Sequence, residues 1–271
     1  MDDLRSLSLL IDVDGVVTDE HARVDATVVE QLLAFSTQGA SLAFITGRSR
    51  TWLEANLESV IADYWSSQAP DAICFAAEMG ALRRGRMTGG AWELSQEHAV
   101  AQALREALVL LIDELGVADL VEWDATKEAT ATFESLHRPD IAGHAARARD
   151  ALERLFPECH RLASAYGCRA AMSTYALDVL APKLSKAVGA RFALEDAGRQ
   201  PERVVVFGDS TGDVAMAATA RELLPDAVVE FAWVGRASAP RLPPNIGLLT
   251  ASEPHALGTA EVLRALRSGG D

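Results

Sequence analysis

Leu7-Ser8-Leu9-Leu10-Ile11-Asp12-Val13-Asp14-Gly15 is the stretch that decides the fold. Its first half has the length and apolar content of a buried parallel strand, and acidic residues follow directly. A later stretch, Val204-Val205-Val206-Phe207-Gly208-Asp209, repeats this arrangement. Because ligands bind at the carboxyl ends of the strands in an open α/β sheet, acids far apart in sequence can converge there. The two stretches therefore predict a parallel-sheet core with a carboxylate-lined crevice.

Two further segments supply groups that complement these acids. Ile45-Thr46-Gly47-Arg48 offers a hydroxyl, and Ser185-Lys186 offers an ammonium group. Phosphoryl transfer requires neutralisation of the negative charge of the phosphate, which carboxylates alone cannot provide. A hard divalent cation such as Mg²⁺ binds one or two carboxylates together with water and substrate oxygens. The segments together predict a Mg²⁺-dependent phosphoryl-transfer site.

Asp12 and Asp14 are expected to perform different tasks. They would share one face of a continued strand, but Gly15 lets the chain turn immediately, so the two side chains can diverge. One carboxylate can then attack phosphorus while the other handles a proton, a division that covalent catalysis by carboxylates commonly uses.

With Gly208-Asp209-Ser210-Thr211-Gly212-Asp213 as the fourth, these motifs resemble in order those of the haloacid dehalogenase superfamily of aspartate-nucleophile phosphotransferases. The resemblance implies an α/β fold with a Rossmann-like, doubly wound parallel-sheet core. It implies that Asp12 is the nucleophile that forms an aspartyl-phosphate. It also implies that Asp14 is the general acid that protonates the leaving oxygen and later activates water.

The same resemblance implies how Mg²⁺ would be held. Its ligands would be Asp12, the backbone carbonyl of Asp14, and Asp209, while Asp213 would either ligate the metal or support the metal site or Lys186 from nearby. The fourth motif departs from the family pattern at Gly212, where Asn is common. Any contact that the Asn side chain would make is absent or supplied elsewhere.

Phosphoryl oxygens would be bound by Thr46, Gly47 and Lys186, again by resemblance. Lys183 lies close in sequence and is the competing candidate for the phosphate-binding lysine. We favour Lys186, because a Ser-Lys pair heading an amphipathic helix over residues 184–194 fits the family pattern better.

The interval between Arg48 and Lys186 is far longer than one strand-helix unit and predicts an inserted domain. Its predicted elements are a helix over 50–62, a strand over 72–76, a hairpin over 82–92, a helix over 98–115, a strand over 129–136, a helix over 141–156 and a strand pair near 161–180. Such alternation is typical of an α+β unit with an antiparallel sheet. We therefore expect core residues 1–82 and 181–271, and a cap domain over 83–180.

The resemblance identifies the insertion as a cap of the second type. Thr46-Gly47-Arg48 and Ala77-Glu78-Met79-Gly80-Ala81 favour the C2B subtype found in trehalose-6-phosphate phosphatases, sucrose-phosphate phosphatases and phosphomannomutases. Met79 stands where that subtype usually has Asn. A lid over the site would exclude bulk water and contact the leaving group, so we expect the cap to select the substrate.

Four polar residues on or beside the alternating cap strand are candidates for binding sugar hydroxyls or a second anion: Lys127, Glu134, His137 and Arg138. The competing interpretation is that they form the solvent face of an antiparallel sheet.

Composition narrows the partners. A formal net charge of −14, from 25 Lys and Arg against 39 Asp and Glu, disfavours binding to nucleic acid. Three cysteines without metal-ligand spacing favour a reducing compartment. No apolar run is long enough for a bilayer, and the acidic start is unlike a signal peptide, so we expect a cytoplasmic protein without a membrane partner.

The sequence therefore predicts a Mg²⁺-dependent phosphatase that acts on a small phosphorylated sugar or related polyol. A phosphomutase of the same fold would return the phosphoryl group to a sugar and would need the same core motifs. A non-catalytic sugar-phosphate-binding protein is a third possibility, but it would have no reason to retain Asp12, Asp14, Lys186 and Asp209 together. The identity of the sugar and the oligomeric state are left open.

Overall fold

The computed structural model describes residues 4–19, 21–64, 73–173 and 175–268. The chain divides into two compact units. One comprises Met1–Glu93 and Ser185–Asp271, and the other comprises Leu94–Leu184. We call them the core and the cap. No helix within the described residues is long and apolar enough to cross a membrane.

The strands, in chain order, are β1 Leu7–Ile11, β2 Ser41–Ile45, β3 Ile73–Ala77, β4 Leu82–Arg84, β5 Glu93–Leu94, β6 Val121–Trp123, β7 Ala131–Ser135, β8 Arg169–Met172, β9 Ala176–Leu180, β10 Arg203–Gly208, β11 Val228–Trp233 and β12 Gly247–Thr250. The helices are α1 Ala26–Ser36, α2 Arg50–Trp52, α3 Ser59–Tyr64, α4 Gln102–Val109, α5 Leu111–Glu114, α6 His144–Ala165, α7 Lys186–Asp196, α8 Val214–Leu223 and α9 His255–Arg267. A π-helical segment, Leu53–Glu58, joins α2 to α3.

The core sheet has the strand order β12-β11-β10-β1-β2-β3-β4-β5. From β12 to β3 all neighbours are parallel. The chain winds outward in both directions from β1, which pairs with β2 on one side and β10 on the other. Ile11 is paired with Phe207, so the residues after β1 and β10 emerge side by side at the point where the winding reverses. Such a switch point is where α/β sheets bind ligands, and the predicted doubly wound core is confirmed.

Burial on both faces explains the apolar runs of the central strands. Leu10, Val206 and Phe231 belong to a buried cluster with residues of α7 and α8, which cover one face. Leu9 and Ile11 alternate with Leu10 along β1, point to the opposite face and are equally buried. Sheets covered on both faces require continuous apolar strands rather than alternating ones.

The cap has an antiparallel sheet in the order β6-β7-β9-β8. Its buried cluster combines Phe133 of β7 and Val179 of β9 with Leu152 and Leu155 of α6. This is the α+β architecture that the sequence predicts for the insertion.

The long helix of the cap extends further than its sequence pattern predicts. The helix predicted to end at Phe156 continues through Pro157 to Ala165, so Arg161 lies in α6 rather than in a strand. Cys159 and Ala163 pack into the cap core, and this packing outweighs the loss of one backbone hydrogen bond at Pro157.

The hairpin predicted as the start of the cap belongs to the core. β4 pairs antiparallel with β3, and β5 continues the same sheet. The division between the units therefore falls after residue 93 and after residue 184, rather than after residues 82 and 180. Pairing with an exposed sheet edge satisfies the backbone groups of the hairpin, and a local sequence pattern cannot reveal which sheet supplies that edge.

Candidate active site

Asp12 lies directly after β1, with a side chain that is almost completely buried. Its backbone N–H donates to the carbonyl of Phe207, which continues the ladder between β1 and β10 beyond the strand. Oδ1 of Asp12 accepts from the backbone N–H of Val13 at 2.7 Å and lies 2.6 Å from Nζ of Lys186. Among the described residues, Oδ2 has no such partner, so one carboxylate oxygen is anchored and the other is available.

Lys186 joins two acids that are far apart in sequence. As the first residue of α7, it places Nζ 2.6 Å from Asp12 and 2.5 Å from Oδ1 of Asp213. Burial alone would lower the pKa of Lys186, but the carboxylates of Asp12 and Asp213 outweigh this effect and raise it. Lys186 is therefore a largely buried, protonated ammonium. The competing candidate, Lys183, is exposed.

A close approach of helix to turn fixes the position of Lys186. A Cβ on Gly80 would lie 2.4 Å from the backbone nitrogen of Gly189 in α7, and a Cβ on Gly189 would lie 2.7 Å from Ile45. Two glycines facing each other therefore let α7 pack against the sheet at the end of β2.

Asp213 organises the loop after β10. Its Oδ2 accepts from the backbone N–H groups of Asp209 and Ser210, at 3.2 and 2.9 Å, and from Oγ of Ser210 at 2.8 Å. Ser210 and Asp213 form a capping box at the turn that leads into α8. Asp213 thus holds both Lys186 and the backbone that carries Asp209.

The acids of the site crowd one another. Ligand oxygens of Asp12, Asp209 and Asp213 all lie within 4.8 Å of one another. Burial, followed by the charge of Asp213, raises the pKa of Asp209 to about 6. The same two causes raise the pKa of Asp12 well above its usual value. Three carboxylates against one ammonium leave two negative charges in excess, and a divalent cation would balance them.

The donor set also fits a hard cation. All three groups offer oxygen, the ligand type that Mg²⁺ prefers. Gly15 makes room for one of them, because a Cβ at this position would lie 2.0 Å from Oδ2 of Asp209. Gly15 has a φ of 67°, a left-handed conformation that glycine adopts freely. The predicted turn after Asp14 therefore exists and opens space beside the acids.

Asp14 points to a different partner from Asp12. Arg48 donates from Nη2 to Oδ1 of Asp14 at 2.8 Å and from Nε to Oδ1 and Oδ2 at 3.0 and 3.1 Å. The guanidinium of Arg48 also lies 5.0 Å from the ring centroid of Trp52. Sequence analysis did not predict that Arg48 would bind Asp14, although Arg48 lies within the second motif.

Thr46 and Gly47 follow β2 beside these residues. Thr46 is fully buried, and its Oγ1 accepts from the backbone N–H of Arg48 at 3.0 Å. The space where Gly47 would carry a Cβ is open. Thr46 also accepts, through its carbonyl, a 2.7 Å bond from the backbone N–H of Met79. The Glu78-Met79-Gly80 turn therefore holds the backbone of the second motif through this hydrogen bond.

Sequence reasoning missed two residues at the start of α9. Nδ1 of His255 lies 3.2 Å from the carbonyl of Gly15 and 3.9 Å from Oδ2 of Asp209. Oγ1 of Thr259 donates to the carbonyl of Val16 at 2.8 Å. α9 thus buttresses the turn after Asp12. Neither residue belongs to a recognisable motif, so no local signal marks them.

The four candidate residues of the cap lie in different environments. Glu134 lies in β7, on the face opposite the buried Phe133 and next to Thr132, whose hydroxyl donates to Asp178 at 2.7 Å. Lys127 is buried in the loop before β7. His137 and Arg138 are exposed in the loop after it. Asp178, which the sequence did not single out, shares the polar face of the cap sheet.

Comparison with known proteins agrees with this geometry. A family profile described as haloacid dehalogenase-like hydrolase matches residues 8–221, which contain all four motifs. The chain belongs to the haloacid dehalogenase-like hydrolases. A search of the curated proteins finds no match.

Solved structures extend the likeness of this haloacid dehalogenase-like hydrolase over nearly its whole length. A Thermoplasma acidophilum protein is similar with a TM-score of 0.63 and 15% identity, covering 96% of this chain and 97% of that one. The sucrose-phosphatase of Synechocystis, in complex with sucrose and phosphate, is similar with a TM-score of 0.59 and 15% identity, covering 97% of this chain and 98% of that one. Trehalose-6-phosphate phosphatase of Aspergillus fumigatus is similar with a TM-score of 0.54 and 17% identity, covering 98% of this chain and 93% of that one. At these identities the likeness establishes a shared fold.

Proposed function

We propose that this chain is a Mg²⁺-dependent phosphatase that hydrolyses a sugar phosphate or related polyol phosphate through an aspartyl-phosphate on Asp12. The observation that carries the proposal is the environment of Asp12. Oδ1 is fixed by Lys186 and by the N–H of Val13, while Oδ2 has no hydrogen-bond partner in the described part of the chain. A carboxylate held by one oxygen presents the other in a defined direction, as an in-line nucleophile requires.

In the first half-reaction, Oδ2 of Asp12 attacks phosphorus and the bond between phosphorus and the leaving oxygen breaks. The leaving oxygen takes the electron pair of that bond and a proton from Asp14. Lys186 orients Asp12 and faces the incoming phosphoryl oxygens with its positive charge. Thr46 and Gly47 contribute a hydroxyl and open backbone on the other side of the site.

In the second half-reaction, water attacks the phosphorus of the aspartyl-phosphate and transfers a proton to Asp14. The bond between Oδ2 and phosphorus breaks, so inorganic phosphate leaves and the carboxylate of Asp12 is restored. Asp14 begins the next cycle with the proton that it has just accepted. Arg48 fixes the direction of the Asp14 carboxylate in both steps.

The residues present would hold Mg²⁺ through Asp12, Asp209 and the backbone carbonyl of Asp14, with Asp213 as a ligand or as the support of the Asp209 loop. Bound there, Mg²⁺ supplies positive charge that neutralises the phosphoryl oxygens. Asp213 already directs one oxygen to Lys186 and the other to three donors of the loop, which favours the supporting role.

The substrate class rests on the cap and on the fold. An inserted α+β domain of 94–184 provides polar side chains beyond those that a phosphoryl group needs. Proteins of similar fold, whose likeness covers 97% and 98% of this chain, are a sucrose-phosphatase in complex with sucrose and phosphate and a trehalose-6-phosphate phosphatase. We therefore propose a small phosphorylated sugar or polyol as the substrate and the cytoplasm as the compartment.

Asp12→Asn tests the mechanism. The amide is nearly isosteric but a poor nucleophile, so turnover should fall by several orders of magnitude while the fold is retained. Wild-type protein should release phosphate from a panel of sugar phosphates and bind fluoroberyllate at Asp12, and the variant should do neither. Arg264→Gln, on the exposed side of α9, is the matched control.

Retained turnover in the Asp12→Asn variant would refute the aspartyl-phosphate mechanism. Transfer of the phosphoryl group to a second sugar hydroxyl, without release of phosphate, would identify a phosphomutase instead. Folded wild-type protein that binds sugar phosphates but turns over none of them would show a non-catalytic binding protein.

A further inference from the structure

A cavity of about 220 Å³ lies in the core at the edge of the sheet opposite the candidate active site. It is bordered by Ser8 and Ser41 near the starts of β1 and β2, and by Asp196 at the end of α7. Asp12 follows the other end of β1, four residues beyond Ser8. At ~3.3 Å per strand residue the two places are roughly 13 Å apart. The cavity is therefore separate from the catalytic crevice.

One of its walls comes from the basic cluster in the β4–β5 hairpin, which the phosphatase function does not use. Arg83 is paired with Glu93 and lies over Phe192, and Arg84 is paired with Glu58 and lies over Phe75 and Trp92. The third arginine, Arg86, lines the cavity. No ion pair joins it to a carboxylate in the part of the chain that the structure describes.

A second guanidinium lines the cavity from the segment after α7. Nη2 of Arg199 donates to the carbonyl of Gly39 and, at 3.0 Å, to Oγ of Ser41. These neutral acceptors position Arg199 without cancelling its charge. Its buried Nε has no hydrogen-bond partner in the described structure.

The cavity keeps a net positive charge despite Asp196. The oxygens of Asp196 accept from the backbone N–H groups of Arg86 and Met87, at 3.0 and 2.5 Å. One carboxylate therefore faces two guanidinium groups, in a protein whose formal net charge is −14. Local positive charge of this kind selects anions.

Ser8 adds an independent sign of a ligand. Its side chain is 2% exposed, and its Oγ has no hydrogen-bond partner in the described structure. A buried hydroxyl without a partner costs free energy, and native proteins rarely tolerate one without a reason. Because Ser8 lines the cavity, a ligand there could accept or donate the missing hydrogen bond.

We propose that this cavity binds a small amphiphilic anion, consisting of a phosphate-type or carboxylate group on a short carbon body. The anionic group lies between Arg86 and Arg199 and bonds Ser8. The carbon body lies against the apolar part of the wall, which Leu10, Ala43, Cys74 and Ala193 form. Polar groups fix the orientation and apolar area contributes affinity, as in small-molecule sites generally.

Methyl NMR of the full chain tests this proposal with a site-specific readout. Butylphosphonate, which has no hydrolysable ester bond, and butyrate are the two anionic probes, and butanol is the neutral one. Saturable shifts are expected at the methyl groups of Leu10, Ala43 and Ala193. Val13 and Val16 flank the active site and report any separate binding there. A tighter Kd for butylphosphonate than for butyrate would identify a phosphate-type ligand, and the reverse order a carboxylate.

Two variants decide whether the assigned residues act. Arg86→Gln keeps the backbone contact with Asp196 and should raise the Kd at least about tenfold, since a charge-assisted bond is lost. The exposed Arg191→Gln, on α7 and outside the cavity, should leave it unchanged. Ser8→Ala removes an unpartnered hydroxyl, so it should keep or raise the Tm without ligand while weakening binding severalfold.

The proposal fails if neither anion gives saturable shifts at Leu10, Ala43 and Ala193, or if butanol binds as well as the anions. It also fails if Arg86→Gln leaves the Kd unchanged. Loss of hydrolysis in the Asp12→Asn variant bears only on the phosphatase mechanism, so the two ideas can fail separately.

Discussion

Arg48 donates hydrogen bonds from Nε and Nη2 to the carboxylate of Asp14, at distances of 2.8 to 3.1 Å. The two residues follow neighbouring strands, β1 and β2, and thus connect the first and second motifs directly. Charge-assisted contacts of this two-pronged kind fix direction as well as distance. In the proposed mechanism, in which Asp14 exchanges protons with the leaving oxygen and with water, Arg48 would position the carboxylate of Asp14.

Arg48→Gln should therefore slow the reaction in a way that depends on the leaving group. A sugar hydroxyl leaves poorly without a proton, whereas an activated aryl oxide scarcely needs one. We expect kcat on a sugar phosphate to fall about 10- to 100-fold, and kcat on p-nitrophenyl phosphate to fall much less. Steady-state kinetics on the two substrates provides the measurement.

Asp14→Asn is the benchmark for this effect, since it removes the group that we propose to exchange protons. It should show the same dependence on the leaving group with a larger loss. Arg264→Gln should show no loss on either substrate. Equal losses on both substrates for Arg48→Gln and Asp14→Asn would contradict the proton-transfer role of Asp14.

The crowded acids predict a strict metal requirement. Asp12, Asp209 and Asp213, when ionised, carry two negative charges more than Lys186 can balance. Burial and the charge of Asp213 raise the pKa values of Asp12 and Asp209, so these carboxylates are costly to ionise without a further cation. Chelation should abolish phosphate release, Mg²⁺ should restore it, and Mn²⁺ or Co²⁺ should restore part of it. Ca²⁺ should inhibit, because its larger and more flexible coordination can take both oxygens of Asp12.

Phosphate release assays after dialysis against chelator, with each metal added back, check this prediction. Protein stability gives a second readout, because a cation that binds the folded state raises the Tm. Full activity in excess chelator, or with Ca²⁺ as the sole metal, would overturn the metal assignment.

The convergence of Asp12, Asp209 and Lys186 at one edge of the sheet was predictable because the information is local. Asp12 and Asp209 each follow a continuous apolar run, and a parallel sheet brings the ends of such runs together. Lys186 could be chosen over Lys183 because it heads a helix, and the structure places its Nζ beside Asp12. In these cases strand pairing adds only proximity to what the motifs already specify.

Other features depend on tertiary contacts that no local pattern encodes. His255 reaches the carbonyl of Gly15 across 240 residues of sequence. Helix α6 passes Pro157 because the cap core holds its last turns, and the hairpin after β3 joins the core sheet because a free edge is there. Helix propensity and residues such as Pro and Gly mark where a helix or strand could end, but tertiary packing decides whether it ends there.

Substrate selection by the cap gives a third prediction. Replacement of Lys127, Glu134 or Arg138 by Ala should weaken discrimination among sugar phosphates, by about 1–3 kcal/mol for each group that contacts substrate. Hydrolysis of acetyl phosphate, which has no sugar to recognise, should change little. Ratios of kcat/KM over a panel of sugar phosphates provide the measurement.

Two controls bracket the cap variants. Arg149→Gln, on the exposed side of α6, should change neither activity. Lys186→Ala should depress the hydrolysis of sugar phosphates and acetyl phosphate together, since we propose that Lys186 acts on the phosphoryl group that both substrates share. Parallel loss of both activities in the folded cap variants would show that this segment does not determine specificity.

Met79 provides a prediction about stability rather than catalysis. Its φ of 62° and ψ of 17° place it in the left-handed region, and its neighbours Glu78 and Gly80 also have positive φ values. Left-handed backbone costs a residue with an ordinary Cβ about 1–2 kcal/mol, whereas Asn tolerates it through local hydrogen bonding. Asn, the residue that the family resemblance implies at this position, would fit this backbone conformation better than Met.

Met79→Asn should therefore raise the free energy of unfolding of the core by about 1 kcal/mol, which corresponds to roughly 2–4 °C in Tm. Met79→Gly should gain less, because glycine also increases the entropy of the unfolded chain. Met87→Asn is the matched control, since Met87 is 60% exposed and has no positive φ. Calorimetry of the three variants checks the order. A Tm of Met79→Asn below that of the wild type would show that packing of the half-buried Met79 side chain outweighs the backbone strain.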